Sequence, residues 1–321
     1  MDLSPNSPLV KNLFKKRELL QQGSEEHKQI KTALLILGGG MMGVHGIGSA
    51  IALHLMGIDE VFDNVIGIST GAGIGAALLA KQTINASHIY YHDIANNKFI
   101  KPTRIKKVID LEYLEKLMRE GGRKLDVEKI KSSRSNLYFG VTRVKDAVGE
   151  FIDAKTANPG LITAMKASMA VPGLYPKPIK VNDEDYIDGG AALPFPVEEV
   201  VKQFAPTDIL IISNFPAEHI SMQRLEYLVK RFLSITVFKA FPPALRRLLS
   251  SDDREKLHES NMRFLATLSE IRVGILWPPM TNLNWLTTDE AKLRPAMVAA
   301  IEKTLKTFIG DSEKMLELGI F

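Results

Sequence analysis

Three short segments carry residue types that can do chemistry together. The first is Gly67-Ile68-Ser69-Thr70-Gly71, a Gly-x-Ser-x-Gly pentapeptide. Such a pattern puts a serine on a sharp turn from strand to helix. The flanking glycines let the backbone pass closely, and the helix N-terminus favours developing negative charge. The second is Gly38-Gly39-Gly40-Met41-Met42-Gly43, where successive amides unshielded by side chains can point at a carbonyl oxygen as it becomes an alkoxide. The third is Asp188-Gly189-Gly190, a carboxylate at a strand end that can face a serine across the top of a sheet. Each segment also has a plain structural reading. The first two are ordinary glycine turns, and the third is a common Asp-Gly β-turn.

The elements that must position these residues follow from hydropathy. Thr32–Leu37 is a continuous apolar run that ends in glycine, which suits a strand buried on both faces. Val44–Met56 reads as a helix with Gly57 as its stop. Val65–Ile68 is a second buried strand, and Ala72–Lys81 is a helix of small residues. Strand, glycine turn, helix, repeated twice, is a βαβ pattern. Residues 84–134 are mostly helical in pattern. Asn136–Val141 and Glu150–Asp153 read as strands, and Pro159–Ala170 as a helix. Tyr186–Asp188 closes a short strand, Val197–Phe204 is helical, and Asp208–Ser213 is another buried strand. Residues 221–267 read as wholly helical. Arg272–Leu276 adds a strand, Thr288–Thr307 a long helix, and 311–319 a final turn or two.

Taken together, the motifs resemble the patatin-like phospholipase family over Thr32 to Ser213. A fourth piece is Ala167-Ser168-Met169-Ala170-Val171-Pro172, followed by Gly173 and Pro176, which is similar to the family's helix-to-loop segment beside the active site. The resemblance implies a three-layer α/β/α sandwich with a mainly parallel central sheet, to which the helical pattern beyond Ser221 adds a C-terminal elaboration. It implies a dyad without histidine, with Ser69 as nucleophile and Asp188 as base. Gly38, Gly39, Gly40, Met41 and Gly43 form the implied oxyanion loop, its donors centred on the amides of Gly39, Gly40 and Met41. Gly67 and Gly71 flank the nucleophile elbow, and Gly189 and Gly190 form the turn after the base. One position departs: Met42 stands where the family usually has Arg or Lys.

The division expected is a lead-in over 1–30, a catalytic domain over 31–215, and a mainly helical extension over 216–321 packed on the same domain. The activity expected is hydrolysis of carboxylic esters in phospholipids or lysophospholipids through a Ser69 acyl-enzyme. Neutral acylglycerols are the second choice, and a non-catalytic lipid-binding module on the same fold is the alternative. No metal or organic cofactor is implied, and the oligomeric state is left open.

Other candidates are weaker. Gly38, Gly40 and Gly43 also satisfy the dinucleotide-loop pattern, but the second strand ends in Ile68-Ser69, and Asp63 lies before that strand rather than after it. His219 would complete a Ser–His–Asp triad in the chain order Ser69, Asp188, His219, yet the serine follows the second strand directly, and His219 reads as a surface-loop residue. His45 follows the glycine loop and reads as facing its helix rather than the substrate. His88 and His92, with Asp93, lack a third metal ligand nearby.

The totals bound the rest. The chain has 321 residues, 45% of them hydrophobic, enough for a sizeable core. It has no cysteine, which excludes disulfides, thiolate metal sites and a cysteine nucleophile. The net charge of +4 is a mild bias toward anionic surfaces. Lys230, Arg231, Lys239, Arg246 and Arg247 lie among apolar residues and read either as an amphipathic membrane-surface helix or as a packed lid. No basic tract interleaved with aromatics points to nucleic acid. The polar first 30 residues lack a signal-peptide core, and no apolar run reaches membrane-spanning length, so the expected location is cytoplasmic, with peripheral contact at an anionic membrane surface.

Overall fold

The computed structural model describes residues 3–104, 107–216 and 238–310. An eight-stranded sheet forms its centre. Its strands are β1 (Thr32–Ile36), β2 (Asn64–Ile68), β3 (Asn136–Arg143), β4 (Gly149–Asp153), β5 (Ile179–Val181), β6 (Glu184–Asp188), β7 (Asp208–Ile212) and β8 (Arg272–Leu276). The path is β5-β6-β3-β2-β1-β7-β8, with β4 pairing with β3 off that path. From β3 through β8 all neighbours are parallel, while β4 and β6 run antiparallel to β3, and β5 to β6.

The apolar runs of β1, β2 and β7 are explained by what covers them. Leu34 and Ile36 face one core, whereas Ala33, Leu35 and Leu37 face another. Successive side chains in a strand point to opposite faces, so a strand with helices on both sides must be apolar throughout. The helices α1 (Pro8–Gln21), α2 (Gly43–Leu55), α3 (Thr70–Leu79), α4 (Thr83–His88), α5 (Leu111–Arg119), α6 (Val127–Ser132) and α7 (Leu161–Ser168) supply most of the larger core. On the other face, α8 (Val197–Phe204) packs with α10 (Asp253–Thr267), next along the chain from α9 (Pro243–Ser250). The long C-terminal helix α11 (Glu290–Ile309) lies on α2. The result is the three-layer α/β/α arrangement expected.

Several elements differ from the sequence reading. Within 1–30, α1 buries Leu9, Val10 and Leu13 against the sheet. Its Lys16 is fully buried, with Nζ 2.5 Å from Asp63 Oδ2 and 2.9 Å from Thr32 Oγ1. The run over 84–134 breaks into α4, α5 and α6 with irregular chain between, because Asn96, Asn97 and Pro102 interrupt it and Gly121-Gly122 ends α5. The short strand β5 lies between Pro178 and the Asn182-Asp183 turn, too few residues to show a period. Of the stretch 221–267, residues 238–267 are described and contain α9 and α10; Lys230, Arg231 and the final turn at 311–319 fall outside the described residues. No helix among the described residues is long and apolar enough to cross a membrane.

Candidate active site

Ser69 sits between the last residue of β2 and the first of α3, with φ 54° and ψ −125°. A positive φ is strained for a residue with a side chain and costs on the order of 1–3 kcal/mol. The strain is held from two sides. The Ser69 amide donates to Ser168 Oγ at 2.9 Å, and Ser168 Oγ donates to the Gly140 carbonyl at 2.6 Å. Gly71 lets α3 drop onto β1, because a Cβ there would collide with the Ile36 carbonyl oxygen, and Gly67 lies against the Gly71 backbone.

The glycine loop after β1 lies directly beside the serine. A Cβ on Gly38 would stand 3.1 Å from Ser69 Cβ. Gly40 has φ +56°, which favours glycine. Gly43 opens α2 against Thr70. Among the described residues, no acceptor is bonded to the amides of Gly38, Gly39 or Gly40, whereas the Met41 amide donates to the Trp285 carbonyl at 3.0 Å. Met41 is therefore an engaged donor, unlike the three glycines before it. Met42 is buried in the main core, so the position where a cation is usual holds an apolar packing residue.

Asp188 ends β6 and is buried. Its Oδ1 accepts the Gly190 amide at 2.7 Å. Gly189 starts the following turn under the Gly140 carbonyl, where no Cβ would fit. Thr142 Oγ1 donates to the Asp188 carbonyl at 2.9 Å and accepts the Ala192 amide at 3.1 Å, fixing the turn. The Asp188 amide donates to Ala170 O at 3.1 Å, tying the strand to the segment after α7. Burial pushes the Asp188 carboxyl up to about 6, against the opposing pull of the Ser69 hydroxyl, the Gly190 amide and the more distant Arg254 charge. Oδ2 is buried and has no hydrogen-bond partner among the described residues.

Sequence reasoning named Ser168 only as part of the segment beside the active site and assigned no role to Asn214 or Trp285. Asn214 follows β7, is fully buried, donates to the Leu37 carbonyl at 2.6 Å and accepts the Gly46 amide at 2.8 Å. It thus clamps both ends of the glycine loop. A signal was available: Ser213-Asn214 puts two polar residues at the carboxyl end of a buried parallel strand, where α/β sheets place their sites.

An apolar cavity of about 130 Å³ opens at Ser69 and runs between α3, α5 and the segment after α7. Ile94, Leu111, Leu114, Met118, Met165 and Met169 are among its walls, with Met41 and Trp285 beside the serine.

The described histidines singled out in the sequence lie elsewhere. His45 is buried with Nε2 3.2 Å from Thr281 Oγ1, and burial lowers its pKa to about 4. It does not line the cavity. His88 contacts the Tyr91 hydroxyl, and His92 meets Glu290 at 2.7 Å while Asp93 pairs with Arg123. Among the described residues, no group of three or more His, Cys, Asp or Glu could hold a metal ion. His219 lies outside the described residues.

Known proteins resemble this chain in part. A family model described as patatin-like phospholipase matches residues 34–201. The chain is 26% identical over 194 residues to the "Uncharacterized protein YjjU" of Escherichia coli (strain K12), covering 59% of this chain and 53% of that protein. It is 28% identical over 193 residues to the "Probable lipid hydrolase 463L" of Invertebrate iridescent virus 6, covering 54% of this chain and 64% of that protein. Among solved structures, VipD from Legionella pneumophila aligns with a TM-score of 0.44 and 12% identity over 87% of this chain and 66% of that one. The chain thus spans about half to two thirds of the length of these relatives. Since the family model covers more than half of its residues, across the serine turn and the Asp188 turn alike, the chain belongs to the patatin-like phospholipase family.

Proposed function

We propose that this protein hydrolyses carboxylic esters of lipids, phospholipids or lysophospholipids first, through an acyl-enzyme on Ser69. The observation that carries the reading is a strained serine at the mouth of an apolar cavity, with a buried, more basic carboxylate beside it. Asp188 takes the Ser69 proton as Oγ attacks the ester carbonyl, forming a tetrahedral intermediate. The amides of Gly39 and Gly40 hold the oxyanion, and one such donor is worth roughly 3–4 kcal/mol of barrier. The intermediate collapses, the C–O bond to the leaving alcohol breaks, and Asp188 returns the proton to that alcohol. Water, deprotonated by Asp188, then attacks the acyl-enzyme; the bond from the acyl carbon to Ser69 Oγ breaks, Asp188 returns the proton to Oγ, and the fatty acid leaves.

A pKa of about 6 suits this work better than an ordinary carboxylate, because a base near the operating pH both stays ionised and binds the proton well. The apolar cavity suits an acyl chain. The family membership and the lipid-hydrolase name of the viral relative point the same way.

The test is a panel of phospholipids, lysophospholipids and acylglycerols with released fatty acids profiled, beside Ser69→Ala and Asp188→Asn, and a fluorophosphonate probe with its adduct mapped. Labelling at Ser69 and loss of release in both variants are expected. Full release by Ser69→Ala would overturn the nucleophile assignment. Labelling without release from any lipid would favour the lipid-binding module.

A further inference from the structure

The cavity that starts at Ser69 follows one face of α3. Thr70, Gly73 and Ala77 line it at positions i, i+3 and i+7, so the helix offers a floor with almost no bulk. Ten helical residues span about 15 Å. Beyond the far end of α3 stand Gln82, Asn85 and Arg123, which line the cavity and also line a second, outer cleft beside Lys81 and His88. These three residues are therefore the wall between the apolar cavity and a polar surface.

The wall is tied together on both sides. Arg123 Nη1 donates to Asn85 Oδ1 at 2.5 Å, and its Nε to Asp93 Oδ2 at 2.8 Å. Asn85 Nδ2 donates to the Gly122 carbonyl at 2.9 Å. Gln82 Nε2 donates to the Lys124 carbonyl at 3.1 Å, and its Oε1 accepts the Asp126 amide at 2.9 Å. A terminal methyl group that pushed past would break charge-assisted hydrogen bonds and replace none of them.

We propose that Gln82, Asn85 and Arg123 form a stop that sets the longest acyl chain the cavity accepts. The proposal rests on reading the cavity as the acyl site of Ser69. Chains that end before the stop gain about 4-fold in affinity for each further buried methylene. Chains that reach it gain nothing more.

The experiment separates the stop from the catalysis. In a Ser69→Ala background, saturated fatty acids of increasing length compete with a fluorescent fatty acid. Affinity is expected to rise with length and then level off. In Asn85→Ala/Arg123→Ala the cavity joins the outer cleft, and the plateau moves to longer chains, so that an acid two methylenes past the former limit gains about 15-fold. Ala86→Phe adds bulk beside an intact wall and moves the plateau to shorter chains; it keeps the test decisive if the double variant does not fold. A plateau that stays in place in the folded variants overturns the stop. The same series as p-nitrophenyl esters, with Ser69 present, reads kcat/KM. Esters cleaved with an unmoved plateau sink the stop and leave the catalytic reading standing. A moved plateau without ester cleavage does the reverse.

Discussion

Ser168 Oγ accepts the Ser69 amide at 2.9 Å and donates to the Gly140 carbonyl at 2.6 Å, so one buried hydroxyl joins the strained serine to the neighbouring strand. Without it, a backbone N–H and a C=O would both lose their partner. Ser168→Ala is expected to cost about 1–3 kcal/mol of stability. Because the hydroxyl holds Ser69 rather than a substrate, kcat should fall while KM changes little. Chemical denaturation and steady-state kinetics check this, and an unchanged kcat would show that the strained φ needs no such support.

The raised Asp188 pKa makes two pH predictions of definite sign. As a base it must be ionised, so kcat/KM is expected to rise with pH through about 6 and then level off. For stability the sign is opposite. The folded protein binds this proton more tightly than the unfolded chain does, so the stabilising contribution is full below the ordinary carboxylate range and lost as pH rises through about 6. At neutral pH the folded state carries a desolvated charge costing at most about 3 kcal/mol. Asp188→Asn should therefore melt higher than the parent at pH 7.5, with little difference at pH 4, while losing activity. A lower melting temperature at pH 7.5 would contradict the account.

Asn214 bonds both sides of the glycine loop from a fully buried position. Asn214→Leu leaves the Leu37 carbonyl and the Gly46 amide unpaired and is expected to cost about 2–4 kcal/mol. The loop should then wander from Ser69, lowering kcat for every ester tested. Asn214→Asp keeps the acceptor and loses the donor, so its loss should be intermediate. Thermal melts beside kinetics on a short-chain ester distinguish loop positioning from general unfolding.

Gly73 has no side chain to put into the cavity, and a Cβ there would lie 2.8 Å from Tyr90 Oη and 3.2 Å from Met169 Cε. Gly73→Val narrows the space part-way along α3. Turnover of long-chain esters is expected to fall at least about 10-fold, since two or more methylenes lose their buried place. Esters too short to reach residue 73 should change by less than about 3-fold, because nothing at Ser69 is altered. Parallel loss on short and long esters would argue that the helix itself has moved.

Much of the arrangement could be read along the chain because its signals are local. Ala33–Leu37, Val65–Ile68 and Ile209–Ile212 carry no polar side chain, and only strands covered on both faces require that. Gly67, Ser69 and Gly71 mark a turn whose geometry depends on adjacent residues, and Gly38–Gly40 mark another. Ser69, Asp188 and the glycine loop were therefore nameable as candidates before any coordinates, as was the α/β class.

Other features arise from contacts between residues far apart in sequence. Ser168 meets Ser69 across 99 positions and Asn214 meets Gly46 across 168, pairings that no periodicity encodes. The helical pattern over 84–134 did not reveal that α4, α5 and the Gly121–Arg123 turn enclose a cavity, since lining an empty space and packing a core call for the same apolar residues. The Trp285 carbonyl on the Met41 amide is likewise a backbone contact, blind to side-chain identity. The basicity of Asp188 comes from how much water the folded chain removes around it, a quantity set by packing in three dimensions and absent from the string Asp-Gly-Gly.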